Sequence, residues 1–215
     1  MGNANALLTD EAFGDAMPAR SSSSFLSAIV LLAAVSTADA APPEPLPKPP
    51  AIAVTCVACH GQKGVSPMAG SPSLAAQPDI FLQYQLVFMR DGVRDAGVMK
   101  AVVKNLTDEN IRDLGAYYAA LPPPPPFKAT GQVDEQKVEA LMKPRRCDSC
   151  HKEDFSGQGE SARLAGQRPE YLIKALSDYR AGVRRGRGLA AMMEVSVTLR
   201  DEDMQMIATY LARKP

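Results

Sequence analysis

The sequence predicts an all-α protein that consists of two tandem domains joined by a proline-rich linker. A series of motifs recurs in the same order about 90 residues apart, apolar residues recur at helical spacing, and no long alternating stretch indicates a strand. The length of 215 residues fits one or two domains. Proline clusters punctuate the chain, and we expect a leader over 41–50, domains over 51–121 and 131–215, and a linker over 122–130.

Composition excludes several classes of protein. The 24 basic and 24 acidic side chains balance, so charge gives no reason to expect nucleic-acid binding. All four Cys and both His fall within two runs, 56–60 (CVACH) and 147–151 (CDSCH). No imidazole is left for a Ser-His-Asp triad, and no thiol is left for a disulfide framework.

The first 40 residues have the pattern of an export signal. The apolar run at 25–35 is 11 residues long, whereas a membrane-spanning helix needs about 20. A small-x-small pattern at 38–40 follows it, which predicts a signal peptide over 1–40 that is cleaved after Ala40. Acidic residues ahead of the run are unusual in a signal and indicate that Met17 is the true start. An uncleaved membrane anchor is the alternative interpretation.

Helical segments are predicted at corresponding places in the two repeats. Residues 79–90 place apolar side chains on broad faces, and Thr107 resembles an N-cap followed by acidic residues. A short helix over 134–143 is expected to stop at Pro144, and the helix over 51–55 is expected to be short or weak. The last helix of each repeat has apolar positions three or four residues apart: Ile111, Leu114, Tyr118 and Leu121, then Met204, Ile207 and Leu211.

Cys-x-x-Cys-His is the attachment signature of c-type haem. The two thiols bind the vinyl groups of one porphyrin edge, and the following imidazole binds the iron. A dithiol of the thioredoxin type expects one motif in a βαβ setting, and a zinc site built from the four Cys leaves both adjacent His unexplained. The residues predicted to hold two covalently bound haems are Cys56, Cys59 and His60, then Cys147, Cys150 and His151.

The second axial ligand of the first iron is predicted by elimination. The two His cannot give either iron a pair of His ligands, and Met is the natural soft partner, which also raises the reduction potential. Met68 is only eight residues past His60, and Met89 lies inside an apolar helix, where packing is expected. Met99 is far enough along the chain to reach the other haem face and is the predicted ligand.

Alignment of the repeats selects the corresponding ligand of the second iron. Met192 precedes Leu199 by seven residues, as Met99 precedes Leu106 by seven. Met193, directly after it, is the alternative.

The motif order resembles the tandem diheme class I cytochromes c, most closely the bacterial cytochrome c4 group, over about residues 51–215. The motifs that carry the resemblance are 56–61, Pro72, 74–77 (LAAQ), Met99 and 106–108 in the first repeat, then 147–151, 164–167 (LAGQ), 171–172, Met192 and Tyr210. The resemblance implies two class I cytochrome c domains about a pseudo-two-fold axis, each with one low-spin His/Met haem, and electron transfer in the periplasm.

The resemblance also implies details around each haem. The carbonyl of Pro72 should accept a hydrogen bond from the His60 ring, and Ala162 stands at that place in the second repeat, in a strap one residue shorter. Ala76 replaces an expected Gly, which leaves the conformation of that turn open.

Two glutamines and a basic group allow simpler interpretations. Gln77 and Gln167 are interpreted as polar residues of surface turns. The basic group Arg184, Arg185 and Arg187 is interpreted as a solvated loop, or as a partner of haem propionates or of an acidic protein.

The function that follows is electron transport without enzymatic activity. We expect redox protein partners: a donor such as a quinol-oxidising complex or a dehydrogenase, and an acceptor such as a terminal oxidase. Peripheral membrane association is compatible with this function. The first alternative is a cytochrome subunit of a membrane-associated dehydrogenase complex. The second is a diheme peroxidase, which needs an open iron and nearby acid–base groups, and for which no third His exists.

Overall fold

The computed structural model describes residues 45–128, 132–186 and 189–215, and the regular secondary structure of these residues is helical. Within the described ranges, β-type pairing is limited to one bridge between Gln158 and Ser161. No helix of this part of the chain has the length and apolar character needed to cross a membrane. The predicted signal peptide, with its cleavage site and Met17, lies outside the described residues, as does Arg187.

In the first repeat, two long helices pack on each other beside the short helix that carries the first Cys-x-x-Cys-His run. Helix α2 (Asp79–Arg90) packs mainly on helix α4 (Asp108–Ala119), and the core around them includes Ile111, Leu114 and Val103. The segment over 51–55, expected to be weak, is a single 3₁₀ stretch. The helices in order are 3₁₀ Ala51–Thr55, α1 Val57–His60, α2 Asp79–Arg90, 3₁₀ Gly97–Met99, α3 Lys100–Val103 and α4 Asp108–Ala119.

The second repeat has the same plan with one helix added before the Cys-x-x-Cys-His run. Helix α7 (Pro169–Arg180) packs on both α8 (Ala190–Val197) and α9 (Asp201–Ala212). Helix α5 (Glu135–Met142) also packs on α9, around a separate core that includes Val138 and Met204. Pro144 lies in the 3₁₀ turn that ends α5, as expected. The helices in order are α5 Glu135–Met142, 3₁₀ Lys143–Arg145, α6 Cys147–His151, α7 Pro169–Arg180, α8 Ala190–Val197 and α9 Asp201–Ala212.

The final helix of each repeat is capped at the same place by different chemistry. The hydroxyl of Thr107 accepts from the Asn110 backbone N–H at 3.1 Å, and the Asn110 amide oxygen accepts from the Thr107 N–H at 3.2 Å. In α9 the carboxylate of Asp203 accepts from the backbone N–H of Arg200 at 3.1 Å. The predicted N-cap at Thr107 is confirmed.

The described part of the linker, residues 122–128, lies against the second repeat. The backbone N–H of Phe127 donates to the carbonyl of Ala212 at 2.7 Å, and the guanidinium of Arg168 lies 4.9 Å from the centre of the Phe127 ring. Residues 122–128 are therefore fixed to the second repeat.

Candidate functional site

Each Cys-x-x-Cys-His run folds as one short helical turn. In α1 the His60 N–H donates to the Cys56 carbonyl at 2.9 Å, so that these two side chains lie one turn apart on the same helix. Both Cys56 and His60 are buried, and Cys59 is partly exposed. In α6 the ring of His151 is buried in the same way, whereas Cys150 is exposed.

A backbone carbonyl fixes each His ring. The Nδ1 atom of His60 lies 2.8 Å from the Pro72 oxygen, and that of His151 lies 2.7 Å from the Ala162 oxygen. A carbonyl oxygen only accepts, so Nδ1 donates its proton and the Nε2 lone pair is left available to a metal. The hydrogen bond to Pro72 is confirmed, and the shorter second strap makes the same bond.

Burial favours the neutral form of both imidazoles. Desolvation lowers the pKa of His60 below its ordinary value and outweighs the opposing effect of the Pro72 hydrogen bond. The pKa of His151 is lowered for the same reason, against the opposing effect of the bond to Ala162. Neutral imidazole is the form that binds a metal ion.

Both runs border a cavity of about 530 Å³ whose walls include apolar side chains of both repeats. Thiols, a metal-competent imidazole and apolar walls together fit a covalently attached, apolar macrocycle that carries iron. The predicted site residues on these walls are Cys56, Cys59, His60 and Met99 from the first repeat, and Cys150, His151 and Met192 from the second. Cys147 packs against the second core instead.

The structure separates the candidate methionines. Met99 ends a 3₁₀ turn, lines the cavity and packs against the first core. Met192 lines the cavity from α8, whereas its neighbour Met193 lies outside the lining. Met68 is exposed and does not line the cavity, and Met89 packs on the first core while also lining the wall.

The four Cys do not assemble into a zinc site. In the part of the chain that the structure describes, which contains every Cys and His, no three or more Cys, His, Asp or Glu side chains are grouped to hold a metal ion. The zinc alternative therefore has no geometric support.

The interpretation of Gln77 and Gln167 as surface residues is wrong. Both are buried and each bonds to the backbone of the other repeat. The Gln77 side chain donates to the Arg163 carbonyl at 2.9 Å and accepts from its N–H at 3.0 Å. Gln167 does the same with Ser73, at 2.9 and 2.8 Å. Their identical place in the two Leu-Ala-x-Gln motifs was the signal of this reciprocal contact.

The arginines of the expected basic loop differ in burial. Arg184 is buried, at 4% exposure, whereas Arg185 is exposed. Arg184 is therefore not part of a solvated loop, because its guanidinium is directed into the protein and bonds to Gln85 of the first repeat.

Comparison with known families assigns each repeat separately. Residues 51–117 match the family described as cytochrome C oxidase, cbb3-type, subunit III, and residues 135–213 match the family described as cytochrome c. Both matches cover a Cys-x-x-Cys-His run.

Similar proteins align with both repeats at once. A thiosulfate dehydrogenase electron acceptor from Thiomonas intermedia is 33% identical, over 85% of this chain and 85% of that protein. Cytochrome c4 from Pseudomonas aeruginosa is 30% identical, over 74% of this chain and 83% of that protein.

Solved structures show the same arrangement of helices. Reduced recombinant cytochrome c4 from Pseudomonas stutzeri superposes with a TM-score of 0.65 at 25% identity, covering 76% of this chain and 95% of that one. A thiosulfate dehydrogenase (TsdBA) from Marichromatium purpuratum superposes with a TM-score of 0.67 at 32% identity, but only 36% of that longer chain is covered.

Proposed function

The chain belongs to the cytochrome c4 family of tandem diheme cytochromes c, and from that premise we propose that it is a periplasmic carrier that moves one electron per haem. It carries two covalently bound haem c groups, one in each cytochrome c domain. The observation that most strongly supports a carrier is the pair of buried, carbonyl-fixed imidazoles on the wall of an apolar cavity.

The proposal assigns each site residue a role. The four thiols would form the thioethers that attach the haems, and His60, His151, Met99 and Met192 would bind the irons. The haem iron, when bound, supplies one-electron redox chemistry, and Met ligation favours a high potential. The same proposal places the domains at 51–121 and 131–215, with the leader over 41–50 and the linker over 122–130. The site residues are Cys56, Cys59, His60, Met99, Cys147, Cys150, His151 and Met192.

A carrier fits these residues better than an enzyme does. With both His and Met bound to it, each iron would have no open position for peroxide or dioxygen. Both His of the chain are used at the two attachment runs, so no imidazole remains for acid–base chemistry. The chain's own contribution is to hold the rings, set their potential and keep water out.

We propose a dehydrogenase as the electron donor and a terminal oxidase or another redox protein as the acceptor. Two relatives are named thiosulfate dehydrogenase electron acceptor, which supports a donor of that class. The likeness to part of a longer thiosulfate dehydrogenase chain favours a second candidate, a subunit held in a dehydrogenase complex. Rapid mixing with a purified thiosulfate dehydrogenase and thiosulfate tests the donor: fast reduction supports it, and a haem signal that stays oxidised rejects this dehydrogenase.

Intact mass and a pyridine haemochrome spectrum of the matured protein test the central claim. The expected result is two added haems. In a variant with Cys56→Ala and Cys59→Ala, one covalent haem should remain, held by the second repeat. A colourless protein, or one that contains zinc, would overturn the proposal.

Spectroscopy of the oxidised protein separates the carrier from a peroxidase. A Met–Fe(III) charge-transfer band with the intensity of two haems is the expected result. A high-spin signal from one haem at rest would contradict the carrier and support the enzyme.

A further inference from the structure

The peptide groups that hold the two His rings each form a second hydrogen bond, and its partner comes from the other repeat. The Pro72 carbonyl, which accepts from His60, belongs to the same peptide group as the Ser73 N–H. That N–H donates to the amide oxygen of Gln167 at 2.8 Å. A single peptide group of the first repeat therefore joins the imidazole of that repeat to a glutamine of the second.

The second repeat has the corresponding connection. The Ala162 carbonyl, which accepts from His151, shares its peptide group with the Arg163 N–H. That N–H donates to the amide oxygen of Gln77 at 3.0 Å. The same positions of the two repeats thus form two crossed connections, one in each direction.

Each glutamine amide is held in one orientation. The Nε2 group of Gln167 donates to the Ser73 carbonyl at 2.9 Å, and that of Gln77 donates to the Arg163 carbonyl at 2.9 Å. Rotating either amide by half a turn would place its NH₂ group against an N–H and its oxygen against a carbonyl. The acceptor oxygen is therefore directed at the N–H of the peptide group that holds the His.

The crossed connections are shielded from water. The exposed fraction of each residue is small: 2% for Ser73, 3% for Gln167, 5% for Gln77 and 7% for Arg163. Solvent therefore does not compete for the peptide N–H groups. In such surroundings, hydrogen bonds that share a group polarise one another.

Polarisation of the peptide group has a consequence at the imidazole. An acceptor at the N–H increases the negative partial charge on the carbonyl oxygen of the same peptide group, which strengthens the bond from the His Nδ1–H. A stronger bond at Nδ1 makes the imidazole a better electron donor to a bound metal. A better donor stabilises the oxidised, more positively charged iron and lowers its reduction potential.

We propose that Gln77 and Gln167 are positioning residues that act across the contact between the repeats. Gln167 strengthens the hydrogen bond of the His60 ring, and Gln77 strengthens that of the His151 ring. Each glutamine thereby lowers the reduction potential of the haem in the repeat to which the glutamine does not belong. The inference rests on the proposed function, since it needs each His to bind haem iron.

An NMR redox titration of the holoprotein tests the crossed dependence. The haem methyl resonances, assigned through their contacts with residues of each repeat, give a separate midpoint potential for each haem. Gln167→Met removes the amide and keeps a side chain of similar length, so the midpoint of the first haem should rise and that of the second should stay close to the wild-type value. Gln77→Met should raise the second midpoint and leave the first in place.

Gln62→Met is the matched control, because it makes the same change at an exposed position of the first repeat. Both midpoints should stay close to the wild-type values in this variant. The proposal is overturned if a shift appears in the repeat that carries the substitution, is equal in both haems, has the opposite sign or is no larger than in the control.

A second measurement follows the hydrogen bonds themselves. The chain has two His, so isotopic labelling of histidine marks one ring in each repeat. In the reduced protein, Gln167→Met should shift the Nδ1–H resonance of His60 upfield, as expected of a weaker hydrogen bond, and leave that of His151 in place. Gln77→Met should do the reverse. A general loosening of the contact would not select one ring, and an unchanged His60 resonance in Gln167→Met would overturn the proposal.

Failure of this inference is distinguishable from failure of the proposed function. Haem content and the Met–Fe(III) band report on the proposed function, whereas a protein with two haems and uncrossed shifts contradicts the inference alone. If a Met variant does not mature, Gln167→Asn and Gln77→Asn carry the same test, because they draw the amide back from the peptide N–H by one methylene. A crossed rise in these variants supports the proposal, and any other pattern overturns it.

Discussion

The turn after each Leu-Ala pair has the same left-handed backbone built from different residues. Ala76 has φ of +54°, and its counterpart Gly166 has φ of +68°. Each backbone N–H donates to the final helix of its repeat, Ala76 to the Tyr118 carbonyl at 2.9 Å and Gly166 to the Leu211 carbonyl at 3.1 Å. These bonds hold Ala76 in a conformation that its Cβ disfavours.

We expect Ala76→Gly to raise the free energy of unfolding by about 1 kcal/mol, because the left-handed turn is then adopted without steric cost. Gly166→Ala is the reciprocal control and should lower it, since a Cβ there would lie 2.9 Å from the Pro124 carbonyl oxygen. Denaturant unfolding of the holoprotein measures both. A loss of stability in Ala76→Gly would contradict this account of the turn.

Acid stability should depend on Asp203. Its carboxylate accepts from the Arg200 side chain at 2.9 and 3.0 Å, and these bonds lower its pKa from 3.8 to about 2. A lowered carboxyl pKa stabilises the fold above the unfolded value and loses that contribution as the pH falls towards 2. Between pH 5 and about 2, the unfolding temperature should therefore fall less steeply with decreasing pH for Asp203→Asn than for the wild type. Parallel curves would reject this role.

Potentiometry should distinguish the two adjacent methionines of α8. Met192 lines the cavity, so we expect Met192→Ala to lower one midpoint potential by roughly a few hundred millivolts, within the range that axial ligands control. Met193→Ala is the matched control and should leave both midpoints in place. The equivalent change in the first repeat, Met99→Ala, should lower the other midpoint. The reverse result in α8 would make Met193 the ligand.

At the scale of elements, the two repeats share one backbone plan but place the large side chain that fills the same space on different elements. Gly64 and Phe155 occupy the same left-handed position after the attachment turn, with φ of +67° and +56°. In the first repeat the Tyr118 ring fills the space in front of Gly64. In the second repeat Phe155 fills it and packs edge-on against Tyr210, with the ring centres 6.5 Å apart. A large residue on the helix and a large residue on the loop are alternative solutions to the same packing problem.

We therefore expect Phe155→Ala to lower the free energy of unfolding by about 3 kcal/mol, because it leaves a cavity and keeps the strained backbone. Val197→Ala on the exposed side of α8 is the control and should change stability little. Calorimetry of the holoprotein measures both changes. A loss in Phe155→Ala no greater than in the control would show that the ring is not needed for packing.

Elements specified by neighbouring residues were predictable from the sequence, and contacts between distant residues were not. The apolar spacing predicts the helix at Asp79–Arg90, and Thr107 predicts the start of α4, because both features depend on residues within a turn or two of each other. The haem attachment turns were predictable for the same reason. The bonds of Gln77 and Arg184 join residues 86 and 99 positions apart, so their burial depends on a packing that local patterns do not report.

At the scale of the whole molecule, the glutamines couple the repeats. The described residues of 45–215 belong to one compact unit, although each repeat has its own core. Gln77 and Gln167 contribute four buried hydrogen bonds across the contact, between 2.8 and 3.0 Å. Arg168 adds a bond from its side chain to the Ser66 carbonyl at 3.2 Å. The two cores should therefore unfold together.

Calorimetry of a variant with Gln77→Leu and Gln167→Leu tests this coupling. Each replacement leaves a buried backbone N–H and carbonyl without partners, which should lower the free energy of unfolding by about 2 kcal/mol per site. With the contact weakened, the single transition expected of the wild type should separate into two, one for each haem domain. Gln62→Leu, at an exposed position, should leave one transition. If the double variant also unfolds in one step at the wild-type temperature, the glutamines do not couple the domains, and the bonds of Arg168 to Ser66 and of Arg184 to Gln85 would have to do so.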